Sequence, residues 1–277
     1  MKGVRKERMR DRDFFYRNIF KKKLVYLAII TALLSGFFLL CICPKRVVPI
    51  LMYHAINDEK SSTLNVSPKN FSRQMAFLHK SGYSVITLNA LIEEIKKGKA
   101  FIPKTVVITF DDGYEDNYAR AFPVLAKYNM RAIIFLITGY VGTQGYLKWD
   151  QILLMSKNNV EFGGHTRNDI YLPSEKNPQR LWDEIAGSKE DIEKKFGKKA
   201  MYFCYPVGGF NDEIKKMVKN AGYEGACTTN RGFDKLNRDV YELNRIKMTN
   251  SDMNSPFHFR AKLSGFYNIF RRMKEGE

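Results

Sequence analysis

The stretch Thr105–Asn117 reads TVVITFDDGYEDN: an apolar run, two adjacent carboxylates at Asp111 and Asp112, then Gly113. Adjacent acids repel unless a cation sits beside them. A metal ion on Asp112 would neutralise one acid and keep the other, Asp111, ionised as a base. A second donor stands in VEFGGHTRND, where His165 follows another apolar run and Asp169 comes four residues later. An ion held by Asp112 and His165 would polarise a carbonyl and lower the pKa of a bound water, whose proton Asp111 could take. Hydrolysis also needs an acid for the leaving group, and His54, ending the run VVPILMYH, suits that role if it titrates near neutrality. Backbone N–H groups at the turn Pro206-Val207-Gly208, after AMYFCYP, could face a developing oxyanion. Tyr205 and Pro206 of that turn are candidate substrate contacts, and Arg245 lies in the final run YELNRIKM. Singly, these residues have ordinary explanations. A histidine at a strand end is usually structural, and an Asp-Asp pair often caps a helix. Jointly, at the same end of successive apolar runs, they are the parts of a metal-assisted hydrolase.

The elements that must position them alternate from Val47 onward. The strand-like runs are VVPILMY, YSVIT, TVVITF, RAIIFLIT, VEFGGH, AMYFCYP, YEGACTT and YELNRIKM. Between them lie helical patterns: one starting near Ser67-Pro68 with Phe71, Met75 and Leu78 at helical spacing, then LNALIEEIKKG, YARAFPVLAKYN, KWDQILLMSKNN, PQRLWDEIAGSKEDIEKKFG and NDEIKKMVKNAG. Ser at an N-cap, Pro in a first turn and Gly98 after a last turn are the expected boundary signals. Such alternation predicts an α/β domain with a parallel sheet, and uniformly apolar strands predict that both faces are covered. Seven or eight such units fit a closed barrel better than an open sheet, and in a barrel the chemistry belongs at the C-terminal strand ends.

The formal charge of the 277 residues is +17, and residues 1–23 hold ten Lys or Arg against three acids. Residues 24–43, LVYLAIITALLSGFFLLCIC, carry no charge and follow Lys21-Lys22-Lys23. That length spans a bilayer, and the flanking lysines place the N-terminus inside and the rest of the chain outside the cell membrane. A cleaved signal peptide or a lipid-modified Cys41 are the competing readings. The domains expected are a basic tail (1–23), a transmembrane anchor (24–43), a catalytic domain (44–250) and a basic, aromatic tail (251–277) that packs as a helix or touches lipid. Four cysteines do not make a disulfide framework, and a Cys204–Cys227 bridge stays open. No finger spacing or groove-reading helix points to nucleic acid.

TFDDG, HTRND after an apolar strand, and YPVG resemble successive motifs of the polysaccharide deacetylases, carbohydrate esterase family 4 with its NodB-homology domain, over residues 47–250. PILMYHAI resembles the branch whose acid-histidine motif has moved N-terminal, which includes enzymes acting on poly-N-acetylglucosamine. The resemblance implies a distorted (β/α) barrel of about seven strands, a divalent metal, often zinc, and removal of acetyl groups from N-acetylglucosamine units of a polymer. It matches Asp111 to the base, Asp112 and His165 to metal ligands, His54 to the acid and the Val207 N–H to the oxyanion donor. Two departures stand out. Asp169 replaces a second histidine ligand, which hardens the site toward Mn, Co or Mg. Cys204 replaces an arginine that orients the base, and Arg245 is the candidate substitute. The chain is thus expected to be a membrane-anchored N-deacetylase of an exopolysaccharide or peptidoglycan. The alternative is a non-catalytic glycan-binding relative with a degraded metal site.

Overall fold

The computed structural model describes residues 2–38, 46–59, 62–99 and 101–270. The chain divides into two compact units, Met1–Lys45 and Arg46–Glu277. The first contains α1 (Lys2–Phe37). The apolar side chains of its second half, Leu24, Leu27, Ile30, Leu33, Leu34 and Phe37, are all exposed. Among the described residues no helix is long and apolar enough to cross a membrane. The end of the expected span, 39–43, with Cys41 and Cys43, lies outside the described residues.

The second unit is built on parallel strands: β1 (Ile50–Tyr53), β2 (Ser84–Val85), β3 (Thr105–Phe110), β4 (Ala132–Leu136), β5 (Val160–Gly164), β6 (Tyr202–Cys204), β7 (Gly225–Cys227) and β8 (Ile246–Lys247). Their order is β7-β6-β5-β4-β3-β1-β8, with β2 as a spur on β3. The path curls back on itself, because Leu243, just before β8, bridges Cys227 at the end of β7. The parallel α/β architecture expected from the sequence is therefore present, with the short β2 as an outlying eighth strand.

Alternate residues of each strand point to opposite faces. Leu51, Ile108, Ile134 and Phe203 face outward and pack with residues of α2 (Pro68–Lys80), α4 (Phe122–Lys127), α5 (Trp149–Ser156), α6 (Pro178–Phe196) and α7 (Asp212–Asn220). Ile50, Val107, Ile133, Phe135 and Cys204 face inward, where Leu88, Leu91 and Ile92 of α3 (Leu88–Lys96) meet them. That helix fills the barrel interior near the N-terminal strand ends, where Ile92 approaches Gly225 at the start of β7. Each large apolar side chain buried this way contributes about 1.5–3 kcal/mol.

Several elements are shorter than their apolar runs. YSVIT yields only Ser84–Val85 because the Thr87 side chain accepts from Ala90 N and starts α3. YARAFPVLAKYN begins as a π turn, Asn117–Ala121, before α4. Pro123, in the first turn of α4, supplies no N–H to the helical ladder. YELNRIKM yields only Ile246–Lys247, because the Asn244 amide donates to Gly232 and Asp234 of the preceding loop. The C-terminal segment packs: α8 (Pro256–Leu263) buries Phe259, whose ring meets Phe77 edge-on at 5.3 Å. Residues 271–277 lie outside the described residues. Cys204 and Cys227 are free, buried thiols.

Candidate active site

The turn after β3 separates the two adjacent acids. Asp112 and Gly113 both adopt left-handed φ, +71° and +77°. A Cβ on Gly113 would lie 2.8 Å from the Leu136 Cδ2 methyl, which adds to the preference for glycine that its φ already sets. The two carboxylates consequently turn to different partners, Asp111 to Arg245 and Asp112 to His165.

Asp111 is buried and Arg245 is fully buried. Arg245 Nη1 donates to Asp111 Oδ1 and Nη2 to Oδ2, both at 2.6 Å. The other donors go to Thr109 Oγ1 (3.0 Å), Cys204 Sγ (3.0 Å) and the Thr228 carbonyl (2.9 Å). Burial pushes the Asp111 carboxyl up, but the guanidinium charge and its paired hydrogen bonds outweigh that and hold it well below the usual carboxylate range. The small thiol of Cys204 thus lies beside a guanidinium delivered from the far end of the chain.

His54 Nε2 stands 3.7 Å from Asp111 Oδ2. Its loop is held by the same turn that carries the acid pair. Asn117 Nδ2 donates to the His54 carbonyl at 2.9 Å, while Asp116 accepts from Ile56 N and Asn57 Nδ2 at 2.9 and 3.0 Å. Burial lowers the proton affinity of His54 below the ordinary imidazole value, against the opposing pull of Asp111 and Asp112.

His165 follows β5. Its Nδ1 lies 2.7 Å from the Cys204 carbonyl. A carbonyl only accepts, so Nδ1 carries a proton, and Nε2 faces Asp112 Oδ1 at 3.4 Å. Ligand atoms of Asp112, His165 and Asp169 all lie within 4.8 Å of one another. Burial pushes the Asp169 carboxyl up, and nearby Asp112 and Asp111 push it further, against His165. Burial works against a charged His165, yet Cys204, Asp112 and Asp111 together raise its proton affinity well above the ordinary value. Two carboxylates and an oriented imidazole, crowded so that they favour added positive charge, fit a divalent cation. A second grouping, Asp111, His165 and Cys204, does not fit. Its carboxylate is committed to Arg245, and burial pushes the Cys204 thiol up, away from the thiolate a metal needs.

The loop from His165 to Asp169 is bolted to α6. Glu184 accepts from Arg167 N and Asn168 N, each at 2.9 Å, and from Asn168 Nδ2 at 2.7 Å. Asp191 takes a two-pronged bond from Arg167, both at 2.9 Å, and another from Thr138 Oγ1 at 2.8 Å. Sequence reasoning did not single out Glu184 or Asp191. The available signal was an acid, Glu184, lodged between Leu181 and Ile185 on the apolar face of α6. It also missed Tyr114 and Tyr146, whose rings stack at 5.3 Å beside the acid pair. Burial, then the Asp112 charge, pushes the Tyr114 phenol up.

Val207 occupies the turn after β6 with φ +56° and is 62% exposed. Four residues of the site, Asp112, Thr166, Asp169 and Val207, have left-handed φ. For β-branched Thr166 and Val207 this is a strained conformation costing about 1–3 kcal/mol each. Tyr205 and Pro206 differ from their expected role. Both are buried; the Tyr205 ring stacks on Phe210 at 4.9 Å and its hydroxyl donates to the Tyr241 carbonyl. They shape the turn from below and present no face to a polymer.

The profile of the family described as polysaccharide deacetylase matches residues 98–226. YxkH of Bacillus subtilis (strain 168), a protein assigned provisionally to the polysaccharide deacetylases, is 35% identical over 210 residues, 76% of this chain and 74% of its own length. The chain belongs to the polysaccharide deacetylase family. Its members are hydrolases that cleave the amide bond of acetamido groups. The poly-beta-1,6-N-acetyl-D-glucosamine N-deacetylase of Staphylococcus aureus (strain MSSA476) is 27% identical, covering 78% of each chain. Among solved structures, the Streptococcus pyogenes deacetylase PplD in complex with acetate superposes with a TM-score of 0.72 at 28% identity, over 78% of this chain and 97% of that one.

Proposed function

We propose that this polysaccharide deacetylase is a membrane-anchored, metal-dependent enzyme that removes acetyl groups from N-acetylglucosamine units of an extracellular glycan. One observation carries the reading: two carboxylates and an imidazole converge within 4.8 Å beside a buried, ionised Asp111. The similarity to a poly-N-acetylglucosamine deacetylase supports the substrate class. The uncharged run 24–43 behind three lysines supports the anchor.

Asp112, His165 and Asp169 would hold the divalent ion, with zinc, manganese, cobalt or magnesium as candidates given two oxygen donors. Such an ion would supply Lewis acidity toward the acetamido carbonyl and toward water. Arg245 keeps Asp111 ionised, so the carboxylate accepts the proton of the attacking water as the new C–O bond forms. The Val207 N–H is the donor for the oxygen that gains charge. His54, weakened as a base by burial, gives its proton to the departing nitrogen as the C–N bond breaks, leaving acetate and a free amine. The Tyr114 and Tyr146 rings beside Asp112 offer apolar faces to a sugar ring.

Acetate release from β-1,6-linked N-acetylglucosamine oligomers, measured with bound metal on the full chain and on Asp111→Asn, tests this reading. Release by the wild type alone, with metal retained in both, supports it. Metal-free protein that binds the oligomers without releasing acetate would instead establish the glycan-binding relative.

A further inference from the structure

Charge is divided unevenly between the two ends of the barrel. The candidate site opens at the C-terminal strand ends. At the opposite end, the segments leading into the strands read HKSGYS (79–84), EEIKKGKAFIPK (93–104), KYNMR (127–131), KNN (157–159), KKFGKK (194–199) and KNAGYE (219–224). They hold thirteen Lys or Arg against three acids, Glu93, Glu94 and Glu224. Glu93 and Glu94 are already paired with Lys96 and Lys97, at 2.9 and 3.0 Å. The loops at the site end (54–67, 111–116, 137–148, 165–177 and 228–238) carry nine acids against seven Lys or Arg.

The basic segments form one surface. Lys104 Nζ donates to the Ser81 carbonyl at 3.1 Å, and Asn159 Nδ2 to Asn129 Oδ1 at 2.9 Å. Lys157, Lys198 and Lys199 line one cavity together with Asn89 of α3. Lysine at a helix C-terminus complements the helix dipole, which accounts for part of the bias. It does not account for Lys99, Lys104, Arg131, Lys198 and Lys199, which lie beyond the helix ends and are exposed.

The chain also enters the domain at this end. The Arg46 guanidinium lies 3.8 Å from the centroid of Phe101 and donates to the Ser264 carbonyl at 3.1 Å, while Val47 N donates to the Gly265 carbonyl at 3.0 Å. Only Pro44 and Lys45 separate Arg46 from the uncharged run 24–43.

We propose that this basic end of the barrel is a docking surface for an anionic lipid bilayer, seating the domain with its site facing away from the membrane. The proposal rests on the anchoring reading above. A basic side chain near an anionic leaflet contributes about 1 kcal/mol, and only within a Debye length of about 10 Å. A tether of two residues reaches at most about 7 Å, which holds the Arg46 corner of this surface within that range. The glycan then approaches from the envelope side, as polymer already clear of the bilayer surface.

The test places a fluorescent donor on the full chain by Lys199→Cys or by Phe233→Cys, in a background carrying Cys41→Ser and Cys43→Ser. Phe233 lies on a site-end loop and is 76% exposed, while Cys204 and Cys227 are buried and escape labelling. The protein is reconstituted into vesicles of phosphatidylcholine, with or without phosphatidylglycerol, containing an acceptor dye on the headgroups. Energy transfer from position 199 is expected to exceed that from 233 several-fold when phosphatidylglycerol is present. It is expected to fall in high salt and in the Lys157→Glu/Lys198→Glu variant, whose acetate release from soluble oligomers reports correct folding. Incorporation with equal transfer from both positions overturns the orientation and leaves the anchor standing. Absence from both kinds of vesicle overturns the two together. Loss of the 199 signal on adding a soluble polyanion of equal charge, with no loss on adding neutral glycan, would reassign the surface to acidic polymers.

Discussion

Arg245→Ala removes the counter-charge of Asp111 without touching any of the three candidate metal ligands. Both partners are buried, and the pair is joined by two bonds of 2.6 Å. Removing one partner of such a pair costs about 3–5 kcal/mol, because the other charge stays buried and uncompensated. For a domain of this size each kcal/mol lowers Tm by about 2–4 °C, so a drop of about 6–20 °C is expected. The pH dependence carries the mechanism. In the wild type the folded-state pKa of Asp111 lies below its unfolded value of about 3.9. Its stabilising contribution is therefore present above that value and is lost as pH falls through the folded pKa. In the variant burial acts without Arg245, the folded pKa rises above the unfolded one, and the sign reverses. The stability deficit should therefore widen between about pH 4 and pH 7. Urea unfolding of both proteins across that interval measures it. The double change Arg245→Ala/Asp111→Asn is expected to be more stable than the sum of its parts, with a coupling of about 0.5–3 kcal/mol. A deficit under about 1 kcal/mol that stays flat with pH would refute the pairing as the device that keeps Asp111 ionised.

Asp111→Asn should retain metal and lose about 10²–10⁴-fold in acetate release, the range of a general base; full activity would remove Asp111 from that role. Asp169→His should keep acetate release and shift preference toward zinc, read by activity after reloading with zinc or manganese; unchanged preference would mean Asp169 is not a ligand. Asp191→Ala frees Arg167 and should weaken metal affinity about 10–100-fold, as loss of an outer-shell support does, with titration by a competing chelator as the readout. Val207→Gly should raise stability by about 1 kcal/mol by relieving a left-handed valine, and an unchanged or lower Tm would show that the turn is not strained.

The βα alternation and the polar groups at the strand ends were legible because both arise from local pattern. Apolar runs covered on two faces form parallel strands, and a barrel gathers the residues just past each strand at one end. The joining of Arg245 to Asp111, 134 residues apart, was open only to inference from the missing arginine at Cys204. No periodicity marks it. Asp191 escaped notice because an acid on a long amphipathic helix reads as solvated face until the loop it grips is in view, and Glu184, though on the apolar face, gave no sign of its partners in that loop. Tyr205 was misread for a related reason. An aromatic beside a reactive turn looks like a sugar contact, and only packing against Phe203 and Phe210 reveals that its ring belongs to the core. The left-handed φ at Thr166 and Val207 could not be foreseen, since β-branched residues ordinarily avoid that region.

The most direct measurement is an anomalous difference map from crystals of the protein loaded with zinc or manganese. The account expects a single strong peak bonded to Asp112, His165 Nε2 and Asp169, with Asp111 still on Arg245. A peak that engages Asp111 and Cys204 instead, or none among these residues in protein that releases acetate, would contradict it.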